Sequence, residues 1–228
     1  MDDATRDQYE EKLRKQRRRT KRLMRTAQSE GFMMGAAAML RPGDVVVDCG
    51  ANVGNVTAVL CATGATVHCF EPDPYAYGLL HDRFGEAENV HLHNKAVGIE
   101  AGSIGLMRSA TFDDDPKKNT VMSTTLPGGR GISTDGADII DVEMIDFPAF
   151  LTDLIARSGD IAMLKMDIEG AELDILEVMQ TRHLFDPIRI TLVETHERKF
   201  PEMRPRFRAL KSQIAQEFST SKVNLDWI

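Results

Sequence analysis

Cysteine is scarce in this chain, and its scarcity excludes a disulfide framework. Cys49, Cys61 and Cys69 are the three cysteines among 228 residues, and no two of them form a Cys-x-x-Cys pair. All three lie in or beside predicted core elements, where cysteine behaves as a small apolar residue. We therefore expect reduced thiols in a cytoplasmic protein.

Long apolar runs are lacking as well. The longest strongly apolar run, residues 32–40, has nine residues and contains a glycine, whereas a membrane-spanning helix needs about 20 apolar residues. The basic segment before this run has only a faint likeness to a secretion signal, because the run leads directly into the first predicted core strand. The sequence therefore predicts no membrane span.

Positive charge is scarce outside the first 30 residues. Residues 1–30 contain 10 Lys/Arg and 6 Asp/Glu, whereas the rest of the chain contains 18 and 29, so the net charge of −7 conceals an acidic body. An acidic body is poorly suited to a nucleic-acid backbone, and the chain has no Asn-Pro-Pro-Tyr motif and no aromatic platform for bases. Nucleic acid is therefore not an expected partner, although an RNA-acting protein that uses the basic segment is kept as an alternative.

Residues 1–30 themselves predict a basic helical arm. Residues 12–25 contain nine Lys/Arg and no acid, while Leu13, Leu23 and Met24 are too few to form a full apolar stripe. We expect a solvated helix, with docking to a partner or to an anionic surface as the alternatives. A separate helix is predicted for residues 31–40, at the start of the main domain (31–228).

The stretch Val45–Gly54 organises the rest of the chain. Three valines run into Asp48 and a glycine-rich turn, and a helical pattern follows, as at the opening of a nucleotide-type α/β fold. The spacing is Gly-x-Asn-x-Gly rather than Gly-x-Gly-x-x-Gly, and Asp48 would repel a pyrophosphate at the helix N-terminus. S-adenosylmethionine (SAM) carries a sulfonium, an ammonium group and no phosphate. The loop therefore favours SAM over a nicotinamide cofactor, with Asp48 organising the ammonium group directly or through water.

A carboxylate at the end of the second predicted strand supports this interpretation. Strand 65–70 ends at Glu71, which in a doubly wound sheet faces a ribose whose two hydroxyls a carboxylate can bind. The third strand, residues 90–94, runs into the loop 94–98 at the same edge, where it is placed for the adenine. The alternation of strands and helices predicts a parallel sheet with right-handed crossovers.

Residues 99–147 interrupt this alternation. Short apolar pieces at 104–107, 121–126 and 139–145 are separated by charged and glycine-rich loops, which predicts an inserted hairpin region. A long insertion within a compact domain is typical of a binding lid.

The strand predicted for residues 161–166 leads into Asp167. This position is at the carboxyl end of the strand, where ligands bind in open α/β sheets. Asp167 is expected to steer a substrate hydroxyl, to contact the ammonium end of the cofactor, or to hold a metal. Lys165 shares a face with Asp167, where it either lowers the pKa of a nucleophile or pairs with an acid. Glu172 either caps the next helix or joins the site.

The strand predicted for residues 188–193 leads into Glu194 and His196. The ordinary pKa of histidine suits the removal of a hydroxyl proton near neutral pH. Glu194 alternatively pairs with Lys165 across adjacent strands. Asp167, Glu194 and His196 also offer the ligand types that a Mg²⁺-like ion accepts, but we do not expect a divalent metal to be required.

Four segments, in this order and spacing, resemble the FkbM family of class I SAM-dependent methyltransferases. They are VVDCGANVG (46–54), FEP (70–72), NKAVG (94–98) and KMDIEGAE (165–172). The last is the most distinctive, and its three acids (Asp167, Glu169 and Glu172) match the family's signature. The resemblance covers about residues 43–200, leaves out the basic arm and matches the insertion only loosely. It implies a Rossmann-like, doubly wound, mostly parallel α/β sheet of about seven strands with helices on both faces.

The resemblance also implies methyl transfer from SAM, usually to an oxygen of a small molecule or sugar. We therefore predict a SAM-dependent O-methyltransferase, with an RNA methyltransferase using the basic arm, a nicotinamide-dependent oxidoreductase and a non-catalytic SAM-binding scaffold as alternatives. A homo-oligomer is left open. The expected catalytic residues are Asp167, His196 and Lys165, with His196 or Asp167 as the base. The expected cofactor-binding residues are Asp48, Gly50, Ala51, Asn52, Gly54, Glu71, Pro72, Asn94 and Ala96.

Overall fold

The computed structural model describes residues 3–108, 112, 124–125 and 139–227. The chain divides into two compact units, one up to Met39 and the other from Leu40 to Trp227. The first unit consists mainly of one long helix, α1 (Asp3–Ala37). Within the described ranges, no helix has both the length and the apolar composition that crossing a membrane requires.

Helix α1 is continuous where the sequence predicted a break. Gly31 and Gly35 lie inside the helix, and neither has a positive φ. A glycine in a helix costs only about 1 kcal/mol relative to alanine, and a helix ends at glycine chiefly where that residue turns left-handed. The separate helix predicted for residues 31–40 is therefore wrong. The boundary at residue 30 between an arm and a domain stays a prediction.

The second unit alternates strands and helices along the chain. Its strands are β1 (Val45–Cys49), β2 (Thr66–Phe70), β3 (Val90–His93), β4 (Ala96–Gly98), β5 (Gly102–Met107), β6 (Ile139–Asp146), β7 (Ile161–Met166), β8 (Ile188–Val193) and β9 (Val223–Asn224). Its α-helices are α2 (Asn55–Cys61), α3 (Pro74–Phe84), α4 (Phe147–Ser158), α5 (Glu172–Thr181) and α6 (Arg204–Glu217), and a 3₁₀ turn, Pro201–Met203, precedes α6.

Six of the strands form the main sheet, in the order β3-β2-β1-β7-β8-β9. All of the paired strands in it are parallel. The first half of the unit adds strands on one side of β1 and the second half adds them on the other, so the order reverses between β1 and β7. Ligands of such sheets bind outside the carboxyl ends of the strands at this point. The predicted mostly parallel, doubly wound α/β class is confirmed, although the main sheet has six described strands instead of about seven.

A second, three-stranded sheet has the order β4-β6-β5. Strands β5 and β6 pair antiparallel, which matches the predicted apolar pieces at 104–107 and 139–145, and β4 joins β6 in parallel. The sequence took Ala96–Gly98 for a loop, because three residues carry too little periodicity to distinguish a strand. Most of the third piece, 121–126, lies outside the described residues, but Thr124 bridges Met107.

The centre of the main sheet is buried and mostly apolar. All six positions of β7 are buried, as expected for a central strand of a parallel sheet. Helix α4, which the sequence analysis did not predict, packs Phe147, Leu151 and Leu154 into the same core. The start of this helix could have been predicted from the sequence, because an aspartate followed by a proline in the first turn is typical of a helix N-terminus. In the structure, Asp146 accepts a hydrogen bond from the N–H of Ala149.

Candidate active site

The loop after β1 is held in a left-handed conformation. Gly50 and Asn52 have φ angles of 73° and 49°. The N–H groups of Gly50 and Ala51 donate to the carbonyl of Phe70 at 2.9 and 3.0 Å, which ties the loop to the end of β2. A Cβ on Gly50 would lie 1.8 Å from the carbonyl oxygen of Asp167. Glycine is therefore required here both by the backbone angle and by the close approach to the chain after β7.

Gly54 stands where the loop becomes α2, with a φ of 83°. A Cβ at this position would lie 2.5 Å from Cε2 of Phe84 and 2.7 Å from Cδ1 of Leu80, both on α3. Gly54 thus allows the loop and α3 to pack closely, and its predicted role at the cofactor stays a prediction.

Asp48 and Lys165 form a buried ion pair beneath this loop. They are register partners on β1 and β7, and Nζ of Lys165 lies 3.1 Å from Oδ1 of Asp48. The second oxygen of Asp48 accepts a hydrogen bond from the Thr57 hydroxyl at 2.9 Å. Nζ also donates to the carbonyls of Cys49 and Gly50 at 3.2 and 2.7 Å. Burial alone would lower the pKa of Lys165, but the charge of Asp48 holds it above its usual value.

This arrangement corrects the expectations for both residues. Lys165 pairs with Asp48 and not with Glu194, and it lies under the loop rather than at the cavity described below. Asp48 is fully buried, so its carboxylate faces Lys165 and Thr57 instead of the cavity. Both residues therefore position the loop from below, and Thr57, which supports Asp48, was missed because nothing in the sequence distinguishes it from other residues of α2.

Glu71 connects the loop after β1 with the turn after β2. Its two carboxylate oxygens accept the N–H groups of Asn52 at 2.8 Å and of Asp73 at 2.9 Å. A carboxylate oxygen can accept more than one hydrogen bond, so acceptor capacity remains on both. Burial raises the pKa of Glu71 to about 7, in spite of the two N–H donors.

A cavity opens at the carboxyl ends of β1, β2 and β7. Its wall includes six of the predicted site residues, namely Gly50, Asn52, Glu71, Pro72, Ala96 and Asp167. Glu169 also lines the cavity, as do Leu106, Thr124 and Thr125 from the predicted insertion. The insertion therefore reaches the cavity, while its function as a lid stays a prediction.

Asn94 has a different position from the one expected. Its side-chain NH₂ donates to the carbonyls of Glu71 and Pro72 at 2.8 and 3.2 Å, and it is absent from the cavity wall. Asn94 thus fixes the turn that presents Glu71, and Ala96 is the residue of this segment that lines the cavity.

The cavity has two chemically different sides. We call residues 50–54 together with Glu71 the glycine-loop side. We call Asp167 and Glu169, which line the cavity, together with their neighbours Glu194 and His196, which do not, the acidic side. The acidic side is formed by the segments that follow β7 and β8.

His196 is the centre of the acidic side and is 6% exposed. Its Nδ1 lies 2.9 Å from Oε1 of Glu172. Its Nε2 lies 3.4 Å from a carboxylate oxygen of Glu169 and 3.8 Å from oxygens of Asp167 and Glu194. The sequence expected Asp167, Glu194 and His196 to meet, and the structure brings them together with Glu169.

Glu172 holds the acidic side in place from beneath. Its side chain is fully buried, and Oε1 accepts the N–H groups of Ile168 and Gly170 at 3.1 Å each, besides contacting His196. Glu172 therefore supports the acidic side through its contacts with Ile168, Gly170 and His196 and does not line the cavity itself. Glu169, which has a φ of 60°, is further fixed by the Thr124 hydroxyl, which donates to its carbonyl at 2.7 Å.

The charges on this side shift each other's titration. Burial alone would lower the pKa of His196, but the hydrogen bond to Glu172 and the surrounding carboxylates raise it to about 9. Burial raises the pKa values of Glu169 and Glu194. Lys199, which the sequence analysis did not identify because it lies in a loop without a motif, forms an ion pair with Glu169.

Comparison with known proteins identifies the family. The model of the family described as Methyltransferase FkbM domain matches residues 48–216. The chain is 31% identical over 188 residues to the 31-O-demethyl-FK506 methyltransferase FkbM of Streptomyces tacrolimicus, which covers 69% of this chain and 67% of that protein. It is 25% identical over 156 residues to the hexuronic acid methyltransferase AglP of Haloferax volcanii, covering 67% of this chain and 56% of that protein.

A shorter match is shared with a probable ribosomal RNA small subunit methyltransferase A of Methanosarcina mazei, 44% identical over 57 residues and covering 25% of this chain and 21% of that protein. This chain therefore spans from about a fifth to two thirds of the length of these three relatives. The match of the family model runs from the end of β1 into α6 and includes both sides of the cavity. The chain belongs to the FkbM methyltransferase family.

Proposed function

We propose that this protein transfers a methyl group from SAM to a hydroxyl oxygen of a small molecule or sugar. The observation that carries the proposal is the shared cavity, which has Glu71 and the glycine loop on one side and Asp167 and Glu169 on the other. A methyl donor bound to the first side would present its reactive end to the second.

The glycine-loop side fits the cofactor in shape and in hydrogen-bonding capacity. Glu71 is presented at the cavity with acceptor capacity left on both oxygens, which suits the two ribose hydroxyls. Gly50, which has no side chain, brings backbone to the cavity wall, where the methionine part can approach it. Pro72 and Ala96 supply apolar wall for the adenine.

The charge of the cavity also suits the cofactor. Glu71, Asp167 and Glu169 bring carboxylates to its wall, and Lys95 is the one Lys or Arg among the described lining residues. The Lys95 ammonium is paired with Glu143 at 2.6 Å. An anionic wall favours a sulfonium and an ammonium group and disfavours the pyrophosphate of a nicotinamide dinucleotide.

In this proposal the protein contributes position and proton acceptance. SAM supplies an activated methyl group, so that catalysis depends chiefly on bringing the acceptor oxygen into line with it. Asp167 lines the cavity, and its side chain is 29% exposed. It is therefore the better-placed proton acceptor, whereas His196 is not part of the cavity wall.

The names of the relatives support an oxygen acceptor on a small molecule or sugar. One acts on a demethylated hydroxyl position of FK506 and another on a hexuronic acid, as their names state. The match to the ribosomal RNA enzyme covers only 25% of this chain, so it gives little support to RNA as the acceptor.

Calorimetric titration with S-adenosylhomocysteine tests the cofactor assignment. We expect binding that weakens by about tenfold or more in Glu71→Ala, since a ribose partner is lost, and that is unchanged in the control Glu86→Ala on the exposed surface. Absence of binding, or equal affinity in Glu71→Ala, would contradict the assignment. NADH fluorescence in the same preparation tests the oxidoreductase alternative.

The acceptor is tested by measuring S-adenosylhomocysteine formation with SAM and a panel of acceptors. The panel contains hexuronic acids, hydroxylated macrolides and a ribosomal RNA fragment. We expect turnover with one of the first two classes, and Asp167→Asn should lower it by about 10²–10⁴-fold. Turnover with the RNA alone would replace the small-molecule acceptor by RNA.

A further inference from the structure

We propose that Asp167, Glu169 and His196 bind a divalent metal ion at the edge of the cavity. One ligand atom from each residue lies within 4.8 Å of the other two. Two of the residues follow β7 and the third follows β8, so the site is assembled where these two neighbouring strands end. The sequence analysis expected no required metal and named Glu194 rather than Glu169 in the candidate set.

The orientation of His196 is the first argument for this site. Glu172 is fully buried and engages Nδ1 at 2.9 Å, which leaves Nε2 facing the carboxylates. A carboxylate that fixes one nitrogen of a histidine is the usual support for a histidine that binds metal through the other. Glu172 is itself fixed by the N–H groups of Ile168 and Gly170, so the imidazole has little freedom to turn away.

The unsatisfied carboxylate of Asp167 is the second argument. Its Oδ1 is buried without a hydrogen-bond donor among the described residues, and it lies 3.8 Å from Nε2 of His196. Glu169 and Glu194 bring two further carboxylates within 3.4 and 3.8 Å of the same nitrogen. The Asp167 side chain is 29% exposed, but this oxygen is buried, and a buried polar atom without a donor is costly unless a cation compensates it.

Lys199 and the proton on His196 are the two positive charges that compete with a metal ion for this position. Nζ of Lys199 forms an ion pair with the carboxylate oxygen of Glu169 that also faces His196. The Lys199 side chain is 37% exposed, so it can turn into solvent when another cation binds. The ammonium contacts one of the two carboxylates in the proposed ligand set, whereas a divalent ion would contact both and the imidazole.

The donor set indicates the class of ion. Two carboxylates and one imidazole suit Mn²⁺ or Mg²⁺, and the remaining coordination positions would be open to water or substrate. Asp167 and Glu169 line the cavity, so an ion held there would also face the acceptor. It would bind an acceptor oxygen and lower the pKa of its hydroxyl.

Titration of the full chain with Mn²⁺, followed by electron paramagnetic resonance after dialysis against a chelator, tests the site. We expect about one bound Mn²⁺ per chain, with affinity reduced by about 10–100-fold in Glu172→Gln, which loses the support of His196. His196→Ala and Glu169→Gln should lose binding, and Lys199→Ala should bind more tightly than wild type. The control Asp174→Asn removes an exposed carboxylate of α5 that pairs with Arg206, outside the proposed ligand set, and should leave binding unchanged.

Two results would overturn the proposal. The first is the absence of Mn²⁺ binding in both wild type and Lys199→Ala. The second is binding that persists unchanged in His196→Ala and Glu169→Gln, with folding of each variant checked by circular dichroism. Neither SAM nor an acceptor is present in the titration, so its failure would leave the proposed methyl transfer standing, and failure of methyl transfer would leave the metal site standing.

Discussion

The glycine-loop side and the acidic side of the cavity are built in different ways. The glycine-loop side is defined by backbone: left-handed residues at 50, 52 and 54, and a carboxylate, Glu71, that is held by two N–H groups. The acidic side is defined by side chains that converge from two strand ends on His196. A backbone-built surface has one shape, whereas a side-chain cluster can be altered one charge at a time.

The two sides are nevertheless joined at two points. Lys165 comes from β7, the strand that carries the acidic side, and it supports the glycine loop through Asp48 and two carbonyls. Gly50 comes from the loop and touches the backbone of Asp167. We therefore expect substitutions at these joints to affect both sides, and substitutions within one side to affect that side alone.

Lys165→Met should have the largest effect, because it leaves the carboxylate of Asp48 buried without its partner. Removing one member of a buried ion pair costs about 3–5 kcal/mol in the free energy of unfolding. Urea unfolding at pH 7 measures this loss, provided that the dependence of the unfolding free energy on urea concentration has the same slope in both proteins. A loss below about 1 kcal/mol would show that the pair is not what supports the loop.

The double variant Asp48→Asn/Lys165→Met separates the ion pair from the packing of the lysine stem. Because the charge of Asp48 is removed as well, the free energy of unfolding lost in the double variant should be smaller than the sum of the two single losses, by about 1 kcal/mol or more. Strict additivity would mean that the two side chains act independently.

Gly50→Ala should have the second-largest effect, and it should reduce the binding of the cofactor as well as the stability of the fold. The new Cβ would meet the carbonyl of Asp167 at 1.8 Å, so the loop must move away from the end of β7. The backbone that faces the cofactor moves with the loop, so we expect the affinity for S-adenosylhomocysteine, measured by calorimetry, to fall by about tenfold or more.

Gly43→Ala is the matched control for this substitution. Gly43 also has a positive φ, 93°, but a Cβ there would meet nothing within 4 Å. It should cost about 1–3 kcal/mol of stability through backbone strain and leave the affinity unchanged. If both alanine variants lose affinity equally, the close approach of the loop to β7 is not the reason for Gly50.

Glu71 gives the glycine-loop side its own pH dependence. Its pKa is raised to about 7 by burial, and only the ionised carboxylate accepts hydrogen bonds from both ribose hydroxyls through both oxygens. Affinity for S-adenosylhomocysteine should therefore rise with pH through 7, by about tenfold between pH 6 and pH 8, in proportion to the ionised fraction. Calorimetry in two buffers of different ionisation enthalpy should show proton release on binding.

Glu71→Gln is the control for this pH effect. The amide has nearly the same shape and does not titrate, so the variant should bind more weakly and lose the part of the pH dependence that belongs to Glu71. Titration of the amino group of the ligand appears in both proteins and cancels in the comparison. An unchanged pH profile in Glu71→Gln would assign the proton to another group.

The glycine-loop side was largely predictable from the sequence, because its determinants are local. The run from Val45 to Gly54 and the single acid at Glu71 are contiguous motifs, and their spacing reflects one strand–loop–helix unit. What could not be read was the direction of Asp48. Its burial depends on Lys165, more than 100 residues later, and no local pattern reveals that the two strands are neighbours in register.

The acidic side was predictable only in part for the same reason. Residue types and strand ends indicated Asp167, Glu194 and His196, and the structure brings them together. The left-handed turn at Glu169 is fixed in part by a tertiary contact, the hydrogen bond from Thr124. Lys199, which pairs with Glu169, lies 30 residues further along the chain. The helix α4 was missed although its capping signals were present.

The smallest effect is expected at β2 and β3, towards the edge of the sheet, where His93 packs on Phe70 of the cavity wall. Nδ1 of His68 lies 3.3 Å from Nε2 of His93, and the His93 ring stacks on Phe70. Burial lowers the pKa values of His68 and His93 to about 4, assisted by the nearby His91. Because these histidines take up protons more readily in the unfolded chain, with an ordinary pKa near 6.5, stability should fall as the pH drops from about 6.5 toward 4.

His68→Gln and His93→Gln should each reduce that loss, by a shift of a few degrees in melting temperature between pH 7 and pH 5. Glu71 acts in the opposite sense over the same range, since a raised carboxylate pKa stabilises the folded state at lower pH. Each variant is therefore compared with His81→Gln, an exposed histidine on α3, at both pH values. If all three variants lose as much stability on acidification as wild type does, His68 and His93 are not the cause of the loss. The pH dependence of stability would then arise from the titratable groups at the cavity.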